Sequence, residues 1–273
     1  LIQTKNTYRQ KELYASCANL YNIFDNWEVS FSYDFQWNTL DATFYMPTES
    51  DGTFPYPTRY TQMAALATAF EWGRFKGQAS VLGYFVHEKV KRFEARPDKA
   101  VATPAFFLSY KPFLRQNLSL RAFYKRMFRM PTFNDLYYTD MGNAFLKPEY
   151  AEQFNVGLKY TRKFMNLPVL RSVDASVDAY YNHITDKIIA YPKGQQFRWT
   201  MLNLGEVDIK GVDVALNSVW VFGKVEATAR LQYTYQEAID VTDPADTYYR
   251  DQIPYIPWHS GSAVLSLFYK GWG

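Results

Sequence analysis

Between Trp27 and Thr39 apolar and polar residues alternate without interruption. Val29, Phe31, Tyr33, Phe35 and Trp37 share one face, and Ser30, Ser32, Asp34, Gln36 and Asn38 share the other. Side chains of a strand point to opposite faces with period two, so this segment separates an oily surrounding from a watery one. The alternation returns further on. Leu118, Leu120, Ala122 and Tyr124 oppose Asn117, Ser119, Arg121 and Lys125; Phe154, Val156, Leu158 and Tyr160 oppose Asn155, Gly157, Lys159 and Thr161. Val173 to Tyr181 and Val225 to Tyr235 repeat it. These runs exceed the ~5–6 residues usual for a globular strand. A strand of about 12 residues, rising ~3.3 Å per residue and tilted ~40°, covers roughly 30 Å, the hydrocarbon thickness of a bilayer. Soluble sandwiches alternate too, so the pattern alone leaves a membrane barrel and a large soluble β protein equally open.

Alternation bounded by Pro, Gly and Asn clusters predicts eleven strands, near 8–20, 27–39, 61–72, 77–88, 101–110, 117–126, 150–161, 171–190, 196–219, 223–236 and 258–270. Of the 13 prolines only Pro104 falls inside one of them, as expected for a residue that cannot donate to a ladder. The connections sort by length. Short turns near 21–26, 73–76, 111–116, 162–170 and 220–222 alternate with longer loops near 40–60, 89–100, 127–149 and 237–257, and 191–195 is the one short member of the long series. That sorting describes an antiparallel up-and-down transmembrane β-barrel, whereas a Greek-key sandwich has no reason for it. Eleven strands leave two open edges, and in lipid each unpaired edge group costs several kcal/mol. The expectation is therefore a single domain over 1–273 that is part of a barrel and does not persist alone as a monomer.

Composition sharpens this picture. The chain has 273 residues, a run of 18 apolar residues is absent, and so no transmembrane helix is expected. A mean hydropathy of -0.34 is compatible with barrel strands, which give half their residues to a polar lumen. Phe, Trp and Tyr make up 19% of the chain, as where rings line membrane interfaces, although carbohydrate-binding β proteins share that trait. A net charge of +3 with no basic stripe among stacking aromatics argues against nucleic acid. Cys17 is alone, so neither an internal disulfide nor a cysteine metal site is expected. Leu1 is not an initiator Met and opens no secretory signal, which suggests that the sequence starts within a longer protein.

Catalytic chemistry is not legible. His87, His183 and His259 belong to different strands, and the sequence has no His-x-x-x-His pair, phosphate loop or nucleophile elbow. Asp174 and Asp178 share a face, but i and i+4 of a strand are ~13 Å apart, too far for paired-carboxylate hydrolysis within one strand; a cross-strand pair stays open, with carboxylates lining a lumen as the simpler account. No enzyme activity and no cofactor is expected.

The longest loop carries the most specific residues. Arg129-Met130-Pro131-Thr132-Phe133-Asn134-Asp135-Leu136-Tyr137, then Gly142-Asn143-Ala144-Phe145-Leu146-Lys147-Pro148-Glu149 and Val156-Gly157, closely resemble the barrel signature of TonB-dependent outer-membrane receptors. Tyr180-Tyr181-Asn182-His183-Ile184-Thr185-Asp186-Lys187-Ile188 resembles a further strand of that family, Gly211-Val212-Asp213 stands where it has Gly-x-Glu, and Ile253-Pro254-Tyr255-Ile256-Pro257-Trp258-His259 resembles its proline-rich approach to a late strand. Asn155 and Asp213 depart from the usual glutamates. The resemblance covers roughly 115–265 and implies about half of a 22-stranded barrel, without the N-terminal plug, the TonB-contacting segment and the last strands.

That resemblance implies an outer-membrane receptor taking up a scarce, bulky nutrient such as an iron-siderophore, haem, cobalamin or an oligosaccharide by TonB-coupled transport. Its partners would be outer-membrane lipid, the nutrient chelate or other small-molecule ligand, the plug of the same protein and, through it, TonB. Tyr45, Met46, Phe54, Tyr56, Tyr60, Tyr137 and Tyr138 are candidate ligand contacts, with interfacial packing as the competing role. Arg129 has Asp135 and Glu149 within reach and is expected to form a buried, charge-assisted contact that fixes the loop to the inner wall. A passive porin and a secreted polysaccharide-binding β protein are the alternative functions.

Overall fold

In the computed structural model, residues 6–44, 54–138, 141–193 and 198–269 are described. Eleven strands follow one another: β1 (Asn6–Phe24), β2 (Trp27–Phe44), β3 (Thr58–Trp72), β4 (Phe75–Lys89), β5 (Lys99–Tyr110), β6 (Asn117–Arg129), β7 (Glu149–Lys163), β8 (Leu170–Lys193), β9 (Arg198–Phe222), β10 (Val225–Asp240) and β11 (His259–Tyr269). Each pairs antiparallel with its sequence neighbours in one sheet of order β1 to β11. There is no second sheet stacked on the first among the described residues, so the sandwich alternative fails. The chain is an open, partial barrel.

Register turns the alternation into two continuous surfaces. Phe31 is opposite Leu66, Leu66 opposite Val81, Tyr124 opposite Phe154, and Phe154 opposite Tyr181, so the apolar rows of successive strands align. These rows are open to the surroundings: Val156 is 63% exposed and Leu265 68%. Large apolar side chains left bare along a whole sheet face call for lipid, not water, on that side.

Most strands run longer than the alternation predicts: β2, β3, β5, β6, β8 and β10 continue the ladder at their long-loop ends, β1, β4 and β9 lengthen at short-turn ends, and β11 is shorter than expected. β8 extends to Lys193 and so contains Pro192, a second strand proline beside the expected Pro104 of β5. Pro104 marks a split. β5 pairs with β6 only from Ala105 (opposite Lys125) to Tyr110, while Lys99 to Pro104 pair with β4 alone. Freed from β5, the end of β6 bends inward until Phe128 meets Tyr84 of β4 with ring centroids 5.4 Å apart. A short helix, α1 (Phe133–Tyr137), follows inside the loop that leads to β7.

Candidate functional site

One row of the inner face crosses four strands. Glu12 is opposite Asn38, Asn38 opposite Arg59, and Arg59 opposite Glu88. Glu12 accepts from the Gln36 and Asn38 amides at 2.9 and 3.2 Å. Arg59 is the centre of the row. Its Nε and Nη2 approach Glu88 Oε1 at 2.6 and 2.5 Å, its Nη1 donates to the Pro131 carbonyl at 2.8 Å, and its guanidinium lies 4.8 Å from the centre of the Phe133 ring. The two side chains are 10% and 1% exposed, so their attraction is little screened and separating them would strand a charge.

The loop between β6 and β7 folds inward from this anchor and is held again at β8 and β9. Thr132 caps α1: the Asp135 N–H donates to Thr132 Oγ1 at 3.1 Å, and the Thr132 N–H to Asp135 Oδ2 at 2.9 Å. This reciprocal capping box explains why Thr132 and Asp135 stand three apart. Gly142 passes so close to the helix that a Cβ would come within 2.6 Å of the Tyr138 nitrogen. Asn143 then donates to the Met201 carbonyl at 3.1 Å, and Leu136 and Leu146 bury themselves against Ile188. The Lys147 N–H donates to Asn203 Oδ1 at 2.8 Å, and Glu149 Oε2 accepts from the Ile188 N–H at 2.9 Å. Arg96, from the loop after β4, donates to the carbonyls of Ala144 and Leu146. The segment is therefore a strap from the β3–β4 wall to the β8–β9 wall, with Pro131 and Pro148 buried at its two ends.

An aromatic cluster packs where the strap leaves β3. Phe54 and Phe133 are buried with Leu40 and Ala42, and Tyr8, Phe44, Tyr56 and Tyr137 pack around them. Phe54 lies 5.0 Å from Tyr56 and 6.3 Å from Tyr137, and Tyr8 lies 5.5 Å from Tyr138. Cations cover the rim: Lys91 Nζ and the Arg92 guanidinium are 5.4 and 5.5 Å from the Tyr56 ring. Burial, and secondarily the Glu88 carboxylate, push the Tyr137 phenol above its ordinary range. Under the strap is a cavity of about 270 Å³ lined by Gln36 and Asn38 of β2, Arg59, Thr61 and Met63 of β3, Tyr84 and Val86 of β4, and Phe128, Met130, Thr132 and Phe133 from the end of β6 and the strap.

The expected ligand residues separate accordingly. Phe54, Tyr56, Tyr137 and Tyr138 come together at the strap, while Tyr45 and Met46 lie outside the described residues. Tyr60 is opposite Trp37 and His87 on the outward face, away from the lumen. Arg129 does meet Asp135 and Glu149, at 3.3 and 3.6 Å, but its side chain is 48% exposed. The buried cation expected there is Arg59, because register carries it beneath Pro131 whereas Arg129 ends its strand at the rim. Arg59, Glu88 and Arg96 were not singled out by sequence; only the position of Arg59 and Glu88 on the polar face of their strands marked them.

A second inner row lies lower. Arg121, Gly157, Asp178, Asp213 and Thr234 are successive partners on β6 to β10. Arg121 reaches across β7 and grips both oxygens of Asp178, with Nε at 3.1 Å from Oδ1. This needs Gly157, since a Cβ there would overlap Asp178 Oδ1 and come within 3.0 Å of Arg121 Nε. Asp213 accepts from Thr234 Oγ1 at 2.7 Å, so the cross-strand carboxylates Asp178 and Asp213 are both occupied structurally. The histidines stay apart, each with its own partner: His87 with Asp98, His183 with Asp208, and His259 with Tyr233.

A family model described as TonB dependent receptor-like, beta-barrel, matches residues 2–273. The vitamin B12 transporter BtuB of Vibrio vulnificus is 34% identical over 87 residues, which are 32% of this chain and 13% of that protein. Among solved structures, the copper transporter OprC superposes with a TM-score of 0.70 at 16% identity, over 95% of this chain and 41% of its own. The FrpB iron transporter from Neisseria meningitidis gives 0.64 at 14% identity, over 97% and 41%.

Proposed function

Because the chain belongs to the TonB-dependent receptor-like β-barrel family of the outer membrane, we propose that it forms part of the wall of a larger barrel that imports a scarce, bulky nutrient by TonB-coupled transport. In this reading it supplies about half of a 22-stranded wall, and the plug and remaining strands belong to the same protein; spanning 41% of the OprC chain supports that share. The nutrient meets the outer rings of the aromatic cluster, Tyr56, Tyr137 and Tyr138, which pack over the buried Phe54, and enters past the strap. The observation that carries the proposal is the strap itself. A loop pinned to the inner face at both ends gives a bulky ligand an inward, rigid surface beside the aromatic cluster. Iron-siderophore, haem, cobalamin and oligosaccharide remain the cargo classes, and relatives that are B12, copper and iron transporters support a metal chelate or corrinoid first.

The test is uptake by cells lacking the gene and cells in which the full-length gene is restored, with radiolabelled members of the four classes. Accumulation of one class only in restored cells, abolished by a protonophore, is expected. Gene-dependent uptake that survives the protonophore would instead make the protein a passive porin.

A further inference from the structure

The short-turn end of the sheet carries a surface that uptake does not use. Residues 111–116 join β5 to β6 and residues 164–169 join β7 to β8, so the two turns emerge at one end, one hairpin apart. Their tips are apolar and bare: Leu114 is 83% and Met165 91% exposed, with Phe113 and Leu167 beside them. Their flanks are cationic. Lys111, Arg115, Arg162, Lys163 and Arg171 are all exposed, and no Asp or Glu occurs in 111–119 or 159–173. A third turn adds Arg74, whose Nη1 donates to the Pro112 carbonyl at 3.0 Å. The turns at Asp25-Asn26 and Gly223-Lys224 have no apolar tip.

Neither water nor hydrocarbon suits this combination, because one penalises the bare tips and the other the unpaired cations. A headgroup layer accepts both, with apolar tips at the acyl boundary and long cationic side chains reaching the phosphates. The patch is also continuous with the lipid-facing band. Leu118, Leu120, Leu158 and Tyr160 stand directly above it on the outward faces of β6 and β7. Arg162 Nη1 donates to Tyr160 Oη at 3.5 Å and its guanidinium lies 5.0 Å from the centre of the Phe164 ring. Short turns mark the periplasmic side of an outer-membrane barrel. We propose that these neighbouring turns form a binding surface for anionic phospholipid headgroups of the inner leaflet.

The experiment uses the full-length receptor in a Cys17→Ser background, spin-labelled at Leu114→Cys, at Met165→Cys or, as control, at Asn26→Cys. It is placed in phosphatidylethanolamine bilayers with and without phosphatidylglycerol. Labels at 114 and 165 are expected to relax with oxygen in preference to a water-soluble nickel chelate, and the label at 26 to do the reverse. In native mass spectra, phosphatidylglycerol retained by the receptor should fall about fivefold for each cation removed in Arg115→Gln, Arg162→Gln and Arg171→Gln combinations whose heat-modifiable gel mobility shows them folded. Nickel-accessible labels at both turns, meaning water or a soluble periplasmic partner over the patch, would overturn the proposal. So would unchanged phosphatidylglycerol retention in the folded triple variant. Neither readout involves cargo, so uptake and lipid binding stand or fall separately.

Discussion

Replacing Arg59 by Met in the full-length receptor should release the strap while leaving the barrel wall in place. The guanidinium supplies the strap with a charged hydrogen bond to the Pro131 carbonyl and a cation–π contact with Phe133. Those are worth about 1.5–3 and ~0.5–2 kcal/mol, together roughly 2–5 kcal/mol of docking. At 1.4 kcal/mol per decade, even the lower bound raises the opening constant about 30-fold. Hydrogen exchange in detergent reads it directly at the amides of Asp135, Leu136 and Tyr138, which are bonded to Thr132 Oγ1 and to the Thr132 and Asn134 carbonyls. The variant also leaves Glu88 buried and unpaired, which lowers global stability by about 3–5 kcal/mol. The double variant Arg59→Met with Glu88→Leu separates the two effects: stability returns and the strap still exchanges fast. Arg129→Ala is the contrast, since its exposed ion pairs are worth about 0–1 kcal/mol and predict less than a fivefold change. A strap that stays protected without Arg59 and loses protection without Arg129 would refute the reasoning.

Four further outcomes follow from the same geometry. Gly157→Ala should destabilise the folded barrel by about 1–3 kcal/mol in heat-modifiability assays, and Asp178→Ala should suppress most of that loss by removing the overlapped oxygen. Thr132→Ala should cost about 0.5–2 kcal/mol of local stability through the lost cap, seen as faster exchange at Asp135 alone. Tyr137 has a folded-state pKa above its unfolded one, so its contribution is complete below about pH 10 and is lost as pH rises through the folded value; the 295 nm titration difference between wild type and Tyr137→Phe should show one phenol ionising above the ordinary range. Val156→Lys on the lipid face should cost about 2–4 kcal/mol of barrel stability in bilayers, whereas Asn155→Lys on the lumen face should cost little, and equal costs would undo the assignment of faces.

Much of the architecture was legible in the residue order. Alternation such as Val29 to Asn38 marks a strand with two unlike faces, and because side-chain direction is a local property with period two, it needs no knowledge of the partner strand. Loop lengths sorted by parity for a similarly local reason, since an up-and-down chain returns to the same side every second turn. The capping box at Thr132 and Asp135 was also present in sequence, as a Thr and an acid three apart directly after Pro131, the spacing that opens a helical turn.

What the sequence by itself determined was the strand count, the two faces, the membrane and the family motif around Arg129 to Gly157. Only the tertiary structure decided which cation is buried, that Tyr60 faces away from the lumen, and that Gly157 exists to let Arg121 reach Asp178. Each of those depends on register between strands dozens of residues apart: Arg59 lies 72 residues from the carbonyl it holds. A one-residue slip would carry every side chain of a strand to the other face, so contacts across the sheet are set by the assembled ladder and not by any local run of residues.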